Sequence, residues 1–289
     1  MRLTAFFLYF CAKKKGLRVM EKGIFHRSEL LLGKKVMEQL ATKKAILFGI
    51  GGVGSWCAES LIRTGLIHLT IVDSDRVCIT NVNRQLMATS KTVGEVKTDA
   101  LKKRLLDINP DANITNLQKI YCKDTAEDFK LEDYDIIIDA IDSLSNKAHL
   151  IQNASVSKAI FVSSMGAALK IDPTQIKIDS FWRVNGCPLA RKVRKMLRRS
   201  GVEEIDFPCI YSEEVLVNEG TYLIEESESK PEPSMEEGPG DPNLVHHKWD
   251  HHKASVNGSL AHITGMYGFM LAGLVIKQIR VEVIKASKA

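Results

Sequence analysis

The chain has 289 residues, of which 45% are hydrophobic and 26% charged, and its net charge is +5. That composition excludes a disordered chain and suits one large α/β domain or a domain with an appendage. The positive balance is too mild to demand a nucleic-acid partner on charge alone.

Residues 1–24 read as a tail. Leu3 to Cys11 is apolar but runs straight into Lys13–Lys15, the wrong charge order for a secretion signal, and it is too short to span a bilayer. Two readings stay open: an over-extended start with Met20 as the true initiator, or a tail that touches a membrane surface.

The main domain is expected over 25–222. Apolar residues at 30, 31, 32, 36, 37 and 40 predict a helix over Arg27–Leu40, with Ser28 as its N-cap. Ile46–Phe48 is a buried strand, followed by Gly49, Gly51 and Gly54 in G-x-G-x-x-G spacing, a helix to Arg63, and a second strand, Leu69–Val72, ending in Asp73. Glycines let the backbone approach a phosphate, the helix N-terminus offers unpaired N–H groups, and an acid about 20 residues on binds ribose hydroxyls. This pattern indicates a nucleotide without saying which. Cys57 and Cys78, inside it, are expected to be buried small apolar groups.

A polar cluster, Asp75, Asn81, Asn83, Arg84 and Gln85, follows directly, and Lys97 opens the next helix, which stops at Asn109–Pro110. Strands are predicted over Ile114–Ile120, Asp135–Ile138 and Ala159–Val162, the fourth followed by Asp139 and Asp142. Strands alternating with helices give a doubly wound, mostly parallel, Rossmann-like sheet. Ligands sit beyond the carboxyl ends of such strands, where Gly51, Asp73 and Asp142 all fall. An arginine and a lysine can neutralise a triphosphate under attack, and a carboxylate can hold its magnesium.

Ser163–Ala167 is expected as a loop over the reaction centre, and Thr174–Ile178 as an antiparallel strand. After the Cys187–Pro188 turn, a helix over 189–200 carries Arg191, Lys192, Arg194, Lys195, Arg198 and Arg199. All but Lys192 fall in one outward stripe suited to a phosphate backbone. Residues 223–256 form a mobile acidic loop ending in the His246–His252 cluster, read as a polar or RNA-facing loop in preference to a zinc site. Residues 257–289 close the domain with a buried helix around Ile263–Ile276, in which Gly265, Gly268 and Gly273 permit close packing. The six cysteines contain no C-x-x-C pair, which excludes a zinc ribbon or disulfide framework and suits the cytoplasm.

The stretches HRSELLLG, VCITNVNRQ, DINP, IIIDAIDS, SSMGAALKIDPTQIKI and CPLARKVRKMLR resemble the ubiquitin-activating-enzyme superfamily, and within it the tRNA threonylcarbamoyladenosine dehydratases. The resemblance runs from about Phe25 to Tyr211 and recurs near the C-terminus. It implies ATP-dependent adenylation of a carboxylate on tRNA, with ATP and Mg²⁺ as cofactors. Arg84 and Lys97 would stabilise the phosphates, Asp142 hold Mg²⁺ and Asp73 the ribose. Asn81, Asn83 and Ser143 would join Gly49, Gly51, Gly52 and Gly54 around the nucleotide. Arg27 would enter the partner's site in a homodimer; Ile24 stands where such proteins often carry a second arginine. Peripheral membrane contact occurs among relatives. Some relatives place a cysteine before an A-S-x-x-G stretch, where this chain has Lys253 before Ala254 and Ser255. An activator of a ubiquitin-like sulfur carrier is the first alternative, but the paired zinc cysteines of such enzymes are absent. A nicotinamide-dependent oxidoreductase leaves N-x-N-R-Q and Lys97 without a role, and a scaffold without turnover leaves the charged set unused.

Overall fold

The computed structural model describes residues 23–202, 206–220 and 257–287. The N-terminal tail and the 223–256 segment with its histidine cluster lie outside the described residues. Seven strands form one sheet: β1 Lys44–Phe48, β2 His68–Val72, β3 Asn113–Leu117, β4 Ile136–Asp139, β5 Ile160–Ser164, β6 Ile176–Ser180 and β7 Pro208–Ser212. Their order is β3-β2-β1-β4-β5-β7-β6. Every neighbouring pair is parallel except β6 with β7. The doubly wound sheet with an antiparallel extension is therefore as expected. β7 was not foreseen: Cys209, Ile210 and Tyr211 are all buried, so the strand has no alternation to betray it.

The helices are α1 His26–Leu32, α2 Lys34–Thr42, α3 Gly54–Thr64, α4 Lys97–Ile108, α5 Leu144–Ser155, α6 Pro188–Arg199 and α7 Ala261–Ala286. Successive residues of β1 divide between two cores. Ala45 and Leu47 join a cluster with α2, α3, α4 and α7, while Ile46 and Phe48 join one with α5 and α6. Both faces of the sheet are thus covered, as a parallel sheet requires.

The expected helix over Arg27–Leu40 is two helices. Gly33, at φ +80°, breaks it, and Phe25 rather than Ser28 occupies the N-cap. α1 buries none of its residues. The closing helix is longer than its apolar run, at 26 residues. It packs on α3, α2 and β5, burying Tyr267, Leu271 and Val275. Of its three glycines only Gly268 is imposed by packing: a Cβ there would lie 2.5 Å from the Val53 carbonyl oxygen and 2.7 Å from Trp56 Cβ. Among the described residues no helix is long and apolar enough to cross a membrane.

Candidate nucleotide site

β1 lies between β2 and β4, and the chain reverses its direction of travel across the sheet there, opening a crevice at the carboxyl ends of these strands. The loop 49–54 leaves β1 into that crevice, Asp73 follows β2, and the loop 140–143 follows β4. The three motifs meet at one edge. The glycines of the first loop do different work. Gly49 sits at φ +81°, and a Cβ there would lie 2.7 Å from the Ala140 carbonyl oxygen; one on Gly54 would lie 1.9 Å from that of Gly49. These two are demanded by the fold. A Cβ on Gly52 would lie 3.1 Å from Thr264 Cγ2 of α7, whereas one on Gly51 would meet nothing nearer than Gln85 Nε2 at 3.8 Å. Gly51 therefore leaves space on the crevice side that the protein does not fill.

Asp73 Oδ2 accepts from the Ile50 N–H at 2.9 Å and Oδ1 from the Asp75 N–H at 3.0 Å, so the expected ribose ligand also anchors the glycine loop. Lys97, the first residue of α4 and buried, donates to Asp75 Oδ2 at 2.7 Å and stands 3.9 Å from Asp73 Oδ1. The segment between them is closed at its base by Lys97 N–H to the Asp75 carbonyl at 3.0 Å and Val77 N–H to the Glu95 carbonyl at 2.8 Å. Burial works against the Lys97 ammonium, but Asp73, Asp75 and Asp142 together outweigh it and hold its pKa above the usual lysine range. Burial pushes the Asp73 carboxyl up despite the pull of Lys97.

Within that closed segment Asn81 accepts from the Cys78 N–H at 3.0 Å, and Asn83 donates to the Ser259 carbonyl at 2.8 Å. Both amides thus fix the loop. Arg84 donates from one guanidinium nitrogen to the Thr80 carbonyl and to Asn83 Oδ1, each at 2.9 Å, while its own carbonyl accepts from the Trp56 indole at 3.1 Å. Cys78 is exposed, which corrects the expectation of a buried thiol: it stands at the N-cap of a 3₁₀ turn over Ile79–Asn81. A hydrogen bond from the Thr80 hydroxyl leads the causes that lower its pKa. Cys57 is buried as expected.

Asp142 is exposed, in the loop before α5, and near enough to raise the Lys97 pKa. Ser143 is the N-cap of α5, though its hydroxyl does not cap the helix. Among the described residues no three metal-ligating side chains cluster. The exposed Asp142 carboxylate, near Lys97, fits magnesium brought with a nucleotide, which takes one or two carboxylates plus phosphate oxygens and waters rather than a protein cage. Gln85 is a site residue that the motif contained but whose role was missed. Its side chain is buried against Gly51, and its Oε1 has no hydrogen-bond partner. An orphaned amide oxygen beside an open glycine suits a polar ligand.

Sequence reasoning also missed the layer beneath. Asp139 and Lys147 are fully buried and paired, with Nζ 2.5 Å from Oδ2. Ser163 donates to the same Oδ2 at 2.6 Å. A lysine in the first turn of a helix and a serine in a strand carry no motif signal, so only folding joins them.

Two predicted groups stand apart. Arg27 is exposed on α1, whose preceding Phe25 lies 3.8 Å from a Cβ at Gly65, at the amino edge of the sheet and opposite the crevice. The basic helix α6 packs on α5 and begins beside the loop after β5, with Leu189 Cβ 3.8 Å from a Cβ at Gly166. It buries Ala190, Val193 and Leu197. Its six cations wall an open hollow of about 730 Å³. The expected stripe needs one correction: Arg194 is partly buried and donates to the Phe181 carbonyl at 2.9 Å, so it serves the fold. The Arg198 guanidinium lies 5.2 Å over the Trp182 ring.

Comparison with known proteins agrees with this geometry. The ThiF family model matches residues 25–286. The tRNA threonylcarbamoyladenosine dehydratase of Bacillus subtilis is 40% identical over 190 residues, covering 66% of this chain and 74% of that protein. The Escherichia coli enzyme of the same name is 36% identical over 193 residues, covering 65% and 72%. A crystal structure of the E. coli dehydratase in complex with ATP superposes with a TM-score of 0.76 at 29% identity, over 91% of this chain and 96% of that one. The family match, covering the glycine loop, the Asp75–Lys97 segment and α7 alike, places the chain in the ThiF family, and these relatives place it among the tRNA threonylcarbamoyladenosine dehydratases.

Proposed function

We propose that this protein uses ATP to dehydrate threonylcarbamoyladenosine in tRNA. The observation that carries the reading is the Lys97 ammonium held among Asp73, Asp75 and Asp142, beyond the strand ends where Gly51 stands open, in a chain of this family. The free carboxylate of the modification attacks the α-phosphorus of ATP; the bond to the bridging oxygen breaks and pyrophosphate leaves. A ureido nitrogen then attacks the activated carbonyl, a ring closes, the nitrogen's proton passes to solvent and AMP departs. Nucleophile and electrophile are both anionic, so the protein's task is chiefly charge neutralisation. Lys97, kept cationic by its three carboxylates, and Arg84 face the phosphates, while Asp73 and the backbone at Gly51 seat the nucleoside. Magnesium, held through Asp142 and phosphate oxygens, would offset further charge.

The tRNA backbone lies along α6 by this reading. The exposed cations Arg191, Lys195, Arg198 and Arg199 support it, and the helix begins at the crevice rim, so bound RNA is led to the reacting centre. Arg27, at the far edge from its own crevice, supports a homodimer in which it serves the partner's nucleotide. Cytoplasmic residence follows from the ATP and tRNA requirement. The test is mass spectrometry of nucleosides from tRNA incubated with the protein, ATP and magnesium. Threonylcarbamoyladenosine should lose one water; an unchanged mass with intact, ATP-binding protein would overturn the reading.

A further inference from the structure

The buried Asp139–Lys147 pair is closed off from solvent. Replacing a buried ion pair by apolar groups is often neutral or stabilising, so stability alone is a weak reason for it. Its hydrogen bonds indicate another task. Lys147 has three protons and three acceptors: Asp139 Oδ2 at 2.5 Å, the Ser164 carbonyl at 2.9 Å and Ser163 Oγ at 3.4 Å. Asp139 uses its other oxygen to accept from the Ile141 N–H at 3.0 Å. Ile141 immediately precedes Asp142, and the neighbouring Ala140 carbonyl is the group against which Gly49 is packed. Loop 140–143 is therefore fixed at its start by the Asp139 carboxylate, and the Lys147 ammonium ties that carboxylate to Ser163 and Ser164 at the end of β5.

We propose that Lys147, through Asp139, is a positioning residue that sets the Asp142 carboxylate for the magnesium–nucleotide complex. The proposal rests on the adenylation reading for the identity of the nucleotide. The bonds from Lys147 to Asp139 and from Asp139 to the Ile141 N–H join the buried pair to the backbone one residue before Asp142. Such supporting contacts behind a metal ligand are worth about 10–100-fold in metal affinity or activity.

The experiment is calorimetric titration of ATP with and without magnesium. It compares the wild type, Asp142→Ala, the double variant Lys147→Met with Asp139→Asn, and the triple combination. Removing both charges leaves no unpaired buried ion, so the double variant should melt near the wild type. Its affinity for ATP alone should be unchanged, while the extra affinity conferred by magnesium should fall by about 10–100-fold. Asp142→Ala should show the same loss, and the triple variant no more than Asp142→Ala alone, because coupled residues do not add. A purely structural role would leave the magnesium gain intact or give additive losses, and either result overturns the proposal. Should the double variant fail to fold, Ser163→Ala, which removes one bond to Asp139 and keeps both charges, must show a smaller loss of the same kind; an undiminished magnesium gain there also overturns it. Failure of the adenylation reading appears elsewhere, as wild-type protein that does not bind ATP.

Discussion

Gly51→Ala separates what the nucleotide needs from what the fold needs. In the protein the new methyl would meet only Gln85 Nε2, at 3.8 Å, an ordinary contact, and Gly51 is not among the glycines of positive φ. The substitution should therefore leave stability within about 1 kcal/mol, with a slight gain from the stiffer unfolded chain. For a domain of this size that is a melting shift of roughly 2–4 °C or less. The methyl would, however, occupy the space through which a phosphate or ribose approaches the backbone. Losing that approach should weaken ATP binding by about ten-fold or more, equivalent to about 1.4 kcal/mol. Gly54→Ala is the contrasting variant. Its methyl would lie 1.9 Å from the Gly49 carbonyl oxygen, a backbone atom that cannot swing aside. Overpacking of that kind costs about 1–3 kcal/mol, occasionally more, so its melting temperature should drop before any ligand is added. Thermal melts of the free proteins and calorimetry with ATP read the two effects apart. Wild-type ATP affinity in a well-folded Gly51→Ala protein would refute the assignment of the open cradle to the nucleotide.

Arg84→Ala, which removes a partly exposed side chain, should cut turnover by the equivalent of about 3–4 kcal/mol with little change in melting temperature; a raised KM at constant kcat would instead assign it to ground-state binding. Lys97→Ala should cost both, because it strands Asp73 and Asp75. The penalty is about 3–5 kcal/mol for a wholly buried pair, and less here, since the Asp75 side chain is 48% exposed. Because the Lys97 pKa is raised on folding, its stabilisation is complete below the ordinary lysine pKa and disappears as pH climbs through the raised value; wild type and Lys97→Ala should therefore converge in stability only at strongly alkaline pH. On α6, changing Arg191, Lys195 and Arg199 to Gln should weaken tRNA binding and reduce the log–log salt slope by roughly 0.7–0.9 per lost phosphate contact. Arg194→Gln should lower the melting temperature instead, and equal tRNA affinity of the triple variant at every salt concentration would remove α6 from the RNA interface.

The sheet, its crevice and the strand-end members of the candidate set were legible from local pattern. Apolar runs, glycine spacing and strand-terminal acids are short-range signals, and the rule that parallel strands present their carboxyl ends together converts them into one site. Gly51, Asp73 and Asp142 met for that reason. The Arg84 and Lys97 assignments came instead from chemical fit and resemblance, since Asp75 and Lys97 stand 22 positions apart in sequence and only the pairing at the base of the segment joins them. Tertiary structure decided what each residue has left to offer. It spent Asn81 on its own loop and Asn83 on tying that loop to Ser259, turned Arg194 inward to the Phe181 carbonyl, and exposed Cys78 on a cap. It also sorted four similar glycines into two that the backbone requires, one that packs on α7 and one that faces the crevice. None of this is periodic, because it depends on which polar groups a fold leaves unpaired once its backbone is closed. The Lys147–Asp139 pair is the extreme case: eight residues apart in sequence and wholly buried, it becomes meaningful only when β5 supplies the third side of its cage.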